Sequence, residues 1–223
     1  MKKEQPIEYF PALDATGVCR SAFITRIAGI DVSQHKAEAL KRLDAAHHEI
    51  RREIGVAGWP LFTVEQVHGN KLAIFDSSLM ANMQSGIGMG CDGIISDQRE
   101  VLLGIHVADC CAVYIVDPKT PAIGLVHSGK KGTELAIAAK TIEQMRLKFG
   151  SRPEEMIVQL SPCIRPPHYE TDFAAEIIRQ CQLTGVKQIH DTGACTACDP
   201  ARYYSYRLEK GKTGRMLALL GLK

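Results

Sequence analysis

The chain carries almost no excess charge. Its 27 Lys and Arg against 25 Asp and Glu leave a formal +2, too close to balance to mark a nucleic-acid-binding surface. It also has no apolar run approaching the roughly 18 residues of a bilayer crossing, which excludes a membrane-spanning helix. The opening MKKEQPIEYF starts basic, but Glu4 and Glu8 interrupt it and no apolar core follows. The layout of a secretory signal is therefore missing, and a cytoplasmic location is expected. No repeat, linker or low-complexity tract divides the 223 residues, so one domain over residues 1–223 is expected. The eight cysteines lack the spacing of a secreted disulfide framework and are read as reduced thiols.

What the sequence does have is a dense central stretch, residues 91–133, CDGIISDQREVLLGIHVADCCAVYIVDPKTPAIGLVHSGKKGT. Apolar runs at 93–96, 101–107, 112–116 and 122–126 are separated by turn residues at 96–98 and 117–121, the pattern of short buried strands. Asp109 and Cys110 follow the second run, and His127 follows the fourth. Side chains at strand ends are rigidly held yet reach a cleft, so Cys110 and His127 can meet, with His68 of VEQVHGN as a third member. Two imidazoles and a thiolate suit zinc and leave a fourth tetrahedral position open. Without metal, the same trio reads as a cysteine nucleophile with a histidine base. A third reading is that Cys110 is a packed core thiol.

Around this stretch the expected elements alternate. A strand is expected within 18–27 and an amphipathic helix over 35–54, with Ser33 as its cap and Ala39, Leu43, Ala46 and Ile50 on its apolar face. His47 and His48 are read as a surface pair on that helix. Strands follow at 59–67 and 71–75, then a small, Gly/Met-rich loop at 77–90. A glycine turn at 128–132 leads into a helix over 133–149 and aims backbone N–H groups at the site, although the spacing is not that of a P-loop. A strand at 156–160, a proline-braced loop at 161–170, a helix over 173–183 capped near Asp172, and a strand at 188–191 come next. The tail 202–222 is expected as a closing strand pair. The fold class is α/β (α+β), with mixed sheets flanked by helices. Cys195 and Cys198 have the spacing of half a zinc knuckle or a redox pair, with no second matching pair.

Several blocks occur in a fixed order: QVHGN at 66–70, CDGIIS at 91–96, ADC at 108–110, HSGKKGT at 127–133, SPCIRPPHYE at 161–170, CT at 195–196, YYSYR at 203–207 and TGR at 213–215. Together they resemble the YfiH or laccase-domain family, multicopper polyphenol oxidase-like proteins also called purine nucleoside phosphorylases. The resemblance runs from about residue 22 to the C-terminus. It implies a YfiH-like cysteine-hydrolase fold and places the metal and catalytic trio on His68, Cys110 and His127. It further implies a zinc enzyme, with copper as the alternative occupant, that cleaves purine nucleosides with phosphate and has related deaminase and methylthioadenosine phosphorylase activities. Arg26, Gln66, Asp109, Lys130 and Lys131 are the candidate substrate contacts. The expected partners are a purine nucleoside and phosphate, with no nucleic acid and no membrane, on a monomer or weak homo-oligomer.

The departures from the family pattern are specific. Ser128, Lys130 and Lys131 stand where the family has alanine, tryptophan and arginine, and a lysine cannot reproduce a bidentate guanidinium. Ala112 replaces a usual proline, and Cys111 adds a thiol. Asp92 and Asp109 are both candidates to orient a ligand histidine. The rival readings are a metal-free Cys110/His127 hydrolase acting on an amide such as a cell-wall precursor, a copper-dependent phenol oxidase, and a non-enzymatic metal-binding protein.

Overall fold

The central apolar runs lie between two partners and are buried on both faces, which is why they read as continuous hydrophobic segments rather than as alternating ones. The computed structural model describes residues 6–76 and 88–223, so the loop expected at 77–90 lies outside the described residues as far as residue 87. The strands are β1 (Ile7–Glu8), β2 (Cys19–Ile24), β3 (Leu61–Thr63), β4 (Leu72–Phe75), β5 (Gly93–Ser96), β6 (Leu102–Val107), β7 (Cys111–Asp117), β8 (Ala122–Ser128), β9 (Ile157–Leu160), β10 (Gln188–Asp191) and β11 (Met216–Leu222). The helices are α1 (Pro11–Asp14), α2 (Lys36–Glu53), α3 (Lys130–Glu134), α4 (Ile137–Phe149) and α5 (Phe173–Leu183). No helix among the described residues is long and apolar enough to cross a membrane.

Two mixed sheets result. One has the order β1-β2-β11-β6-β3 and the other β10-β9-β7-β8-β5-β4. In each, most neighbours are antiparallel and an end pair is parallel: β3 on β6, β4 on β5, and β10 on β9. The sheets face each other. Phe23, Leu103, Ile105, Ala218 and Leu220 from the first meet Ile94, Tyr114, Val116 and Leu125 from the second in one core cluster. Each fully buried Leu, Ile or Val there contributes about 1.5–3 kcal/mol. Tyr114, itself fully buried, also donates its hydroxyl proton to the Ala22 carbonyl at 2.9 Å, a polar tie between the sheets.

Helices cover the outer faces. α4 and α5 bring Ile137, Ile142, Met145, Phe173 and Ile177 against Val113, Ile115 and Val126 of the second sheet. α2 lays Ile50 on Ala22, Ile24, Leu217 and Leu219 of the first.

Four sequence expectations change. The buried stripe of α2 is Ala39, Leu43, His47 and Ile50, so His47 is a core residue and only His48 is exposed. The α2 N-cap is His35, while Ser33 bonds Asp31 instead. The helix expected over 133–149 is two helices, parted where Ala136 takes a left-handed φ of 54°. The tail holds one strand, β11, because 203–206 runs as irregular chain that buries Tyr203 and Tyr204.

Candidate active site

One strand end and two connecting segments converge on one point. The second sheet carries His127 at the end of β8, in register with Ala112 of β7. Cys110 sits in the short link between β6 and β7, directly after Asp109, whose φ is 80°. His68 belongs to the segment after β3, which is strand only to Thr63, because Gln66 and His68 adopt φ values of 63° and 62°. Those left-handed turns cut the expected 59–67 strand short and bring the exposed His68 beside the other two ligands. One ligand atom from each of His68, Cys110 and His127 lies within 4.8 Å of the others, and the two imidazole rings meet edge to face at 4.8 Å.

Asp92 organises this arrangement. It is fully buried just before β5. Oδ1 accepts from the His68 backbone N–H at 2.8 Å and pairs with His127 Nδ1 at 2.9 Å; Oδ2 accepts from the backbone N–H of Gly69 at 2.7 Å and of Val67 at 3.2 Å. One carboxylate therefore shapes the His68 turn and fixes the His127 ring, leaving Nε2 directed at the shared point. Burial alone would push the Asp92 carboxyl up, but the His127 bond and the backbone donors hold it below the ordinary carboxylate value.

As a metal-free pair, Cys110 and His127 polarise each other. Burial pushes the Cys110 thiol up, but the charge and hydrogen bonds of His127 and His68 bring it down to about 6. Burial likewise disfavours imidazolium at His127, but the Cys110 charge and Asp92 raise it to about 9. The donor set suits zinc: tetrahedral Zn–N of about 2.0–2.1 Å and Zn–S of about 2.3 Å place ligand atoms about 3.5 Å apart, within reach of small side-chain rotations from the present spread. A thiolate with two neutral imidazoles also suits copper.

The approach of Gly129 is equally specific. A Cβ on Gly129 would lie 2.5 Å from Cys110 Sγ. Its φ of −100° suits any residue, so the constraint is the sulfur and not the backbone. Gly129→Ala is expected to displace the thiol and weaken zinc binding about 10²-fold with little loss of folding, as measured by competition against a chromophoric chelator. α3, which follows the glycine turn, is five residues long.

The trio opens into a cavity of about 860 Å³. Of the expected substrate contacts, Gln66, Asp109, Lys130 and Lys131 line it. Gln66 and Asp109 are already engaged. Gln66 brackets His106, donating Nε2–H to its carbonyl at 2.6 Å and accepting its N–H at 3.0 Å. Asp109 accepts from Thr196 Oγ1–H and from the Arg207 N–H, both at 2.7 Å. Arg26 is not brought to the cavity. Its guanidinium lies over the Tyr204 ring, donates to the Tyr203 carbonyl and pairs with Glu209 at 2.8 Å.

Lys36, His106, Arg207, Lys210 and Arg215 line the cavity without having been expected there. Arg215 is 9% exposed and bonds only the Thr213 and Gly214 carbonyls, with no ion pair among the described residues. Burial pushes its guanidinium down from the usual value. Burial, with the nearby His47, Lys36 and Arg215, drops His106 to about 3, so it stays a neutral imidazole. The TGR block was the one signal in the sequence for Arg215; nothing local marked Lys36, the partly buried first residue of α2.

A family profile described as multi-copper polyphenol oxidoreductase laccase matches residues 15–176 and 170–223. The chain is 25% identical to the purine nucleoside phosphorylase YlmD of Bacillus subtilis, over 93% of this chain and 85% of that one. It is 29% identical to a Deinococcus radiodurans purine nucleoside phosphorylase, over 90% and 88%. The crystal structure of YlmD from Geobacillus stearothermophilus superposes with a TM-score of 0.83 at 22% identity, covering 93% of each chain, and so shares the fold.

Proposed function

This chain belongs to the multi-copper polyphenol oxidoreductase laccase family, and from that premise we propose that it is a zinc-dependent purine nucleoside phosphorylase acting on adenosine, inosine or methylthioadenosine. Relatives named purine nucleoside phosphorylase support an activity of that kind. The observation that carries the reading is the meeting of His68, Cys110 and His127 in the lining of a cavity that also holds a buried Arg215, which lies over the Tyr206 ring and has no carboxylate partner among the described residues. Phosphorolysis joins a phosphate oxygen to the ribose C1′ and breaks its bond to the purine nitrogen, which leaves with the electron pair and takes up a proton. It needs a dianion held beside a neutral nucleoside, and the cavity provides for both. Arg215, Lys36, Lys130, Lys131 and Lys210 give it a cationic wall, while Ile164, Tyr169, Phe173 and Tyr206 give an apolar and aromatic side for a base.

Arg215 is the residue assigned to grip phosphate, since a buried guanidinium without a carboxylate is stabilised by an incoming anion. Lys130, also 3.5 Å from Glu170, adds a point charge at the rim. His127 keeps its orientation through Asp92, and Asp109 holds the turn from which Cys110 projects. Zinc held by His68, Cys110 and His127 would supply Lewis acidity next to the reacting bond, with one position open to substrate. The described residues contain a single His/Cys cluster able to hold a metal ion, a poor fit to multicopper oxidation, which needs several centres.

The test is phosphate-dependent release of free base from inosine and adenosine, with the metal counted in protein purified without added metal. Release that requires phosphate and tracks zinc content supports the reading; zinc-loaded protein that releases no base removes it. Arg215→Ala is expected to raise the KM for phosphate by about 10–100-fold, the loss of one charge-assisted contact, and to change the KM for the nucleoside much less.

The polarised Cys110–His127 pair, with Asp92 on the outer ring nitrogen, favours one second reading: a metal-free cysteine hydrolase acting on an amide. That enzyme would carry no stoichiometric zinc and would be inactivated by iodoacetamide at Cys110.

A further inference from the structure

All eight cysteines are free thiols, and two of them form a pair outside the site. Cys195 and Cys198 occupy the first and last corners of a β-turn closed by the Cys198 N–H donating to the Cys195 carbonyl at 3.1 Å. Such corners lie less than about 7 Å apart between Cα atoms, which overlaps the roughly 4.4–6.8 Å that a disulfide spans. The Cys195 thiol donates to the Arg165 carbonyl at 3.9 Å, and its proximity holds the Cys198 thiol above its usual value, so the attacking thiolate is a minor fraction at neutral pH. Cys198 is exposed and Cys195 half-buried, so an oxidant can reach one sulfur while the other waits behind it.

The turn is also tied to the site. Thr196, between the two cysteines, is fully buried and donates to Asp109 at 2.7 Å. Asp109 immediately precedes Cys110. The flanks of the turn are fixed too: the Cys163 N–H donates to the Ala194 carbonyl at 3.2 Å, and the Thr196 N–H to the Cys163 carbonyl at 3.1 Å.

We propose that Cys195 and Cys198 form a reversible disulfide with low-molecular-weight disulfides of the glutathione class, and that closing it shifts the Thr196–Asp109 contact behind Cys110. The Cys198 thiolate attacks one sulfur of oxidised glutathione and expels the other half as a thiolate. Cys195 then attacks Cys198 Sγ, forming the internal bond and expelling the second glutathione. The two protons lost by the cysteines end on the two glutathione thiols, and the two electrons released by the pair reduce the glutathione disulfide.

Trypsin cuts after Lys187 and Arg202, so one peptide, 188–202, contains both thiols and no other cysteine. Zinc-loaded full-length protein, equilibrated in glutathione buffers from mostly reduced to mostly oxidised and then acid-quenched, should give this peptide about 2 Da lighter at the oxidised end, reversibly with dithiothreitol. No mass loss, or a stable glutathione adduct on Cys198, overturns the proposal. Cys198→Ser should fold and turn over like the parent, and its peptide should never lose the mass. The second readout rests on the proposed phosphorolysis. The KM for inosine should move by about fivefold on oxidation of the parent and stay constant in Cys198→Ser, which carries Cys110 through the same treatment. A disulfide that forms without this difference overturns the link to Cys110. Because the mass readout does not depend on catalysis, failure of the proposed activity and failure of the disulfide are told apart.

Discussion

Cys110→Ser is expected to bring bound zinc from about one ion per chain to a small fraction of that, and base release down by on the order of 10³-fold or more. The reason is the chemistry of the exchanged atom. The thiolate is the only anionic donor of the three and, drawn down to about 6, is ionised at neutral pH; a serine hydroxyl stays protonated and leaves two neutral imidazoles. The substitution is nearly isosteric, and the thiol contributes no disulfide, so the thermal midpoint of metal-free protein should move little. Elemental analysis, turnover and a melting curve on the same preparation separate ligand loss from unfolding. Full zinc content in Cys110→Ser would refute the assignment. The outcome also weighs the metal-free reading, since a hydrolase would lose turnover without any zinc to lose.

The second large effect is at Asp92, which the geometry makes both an orienting and a structural group. Asp92→Asn keeps the shape but only one of the two acceptor oxygens, so with that oxygen toward the Val67 and Gly69 N–H groups its NH2 faces the His68 N–H, and the neutral amide no longer stabilises a charged or strongly polarised His127. A 10–100-fold drop in zinc affinity or turnover is expected, with the fold retained. Asp92→Ala removes every acceptor. The N–H groups of Val67, His68 and Gly69 then lose their partner, costing about 1–3 kcal/mol for each that stays buried. A loss of several kcal/mol of stability in urea unfolding is therefore expected for alanine and a smaller one for asparagine, which keeps one of the two acceptor oxygens. Equal destabilisation by both would mean that the charge, and not acceptor capacity, holds the loop. The sign with pH follows from the lowered carboxyl: the stabilisation is present above the unfolded value and is lost as pH falls through the folded one.

These effects trace back to features the sequence carried unevenly. β5 to β8 were legible because strands covered on both faces read as unbroken apolar runs between turn residues, and α5 because Asp172 caps it through the Ala175 N–H at 3.0 Å. The break at Ala136 was not legible, since Leu135, Ala136 and Ile137 are ordinary helix formers and only tertiary packing turns the chain there. The shortened strand after Pro60 had a similar cause: Gln66 and His68 take left-handed φ values for which neither residue has an intrinsic preference. Positions at strand ends made Cys110 and His127 candidates with His68 of VEQVHGN as the third member, and the ordered blocks pointed to the same trio. The roles of the two aspartates were undecidable from order along the chain. Asp92 turns out to hold His127 and Asp109 to hold Thr196, a difference that exists only across elements. Arg26, for all its family-like setting, is spent on Tyr203 and Glu209, while Arg215 and Lys36 reach the cavity from opposite parts of the chain.

The position of β11 has a consequence for how the protein is made. It lies between β2 and β6 in the middle of the first sheet, although it follows β6 by more than a hundred residues of sequence. On a ribosome, β2 and β6 emerge long before their shared neighbour and must wait with unpaired hydrogen-bonding edges, a sticky interval that favours chaperone capture.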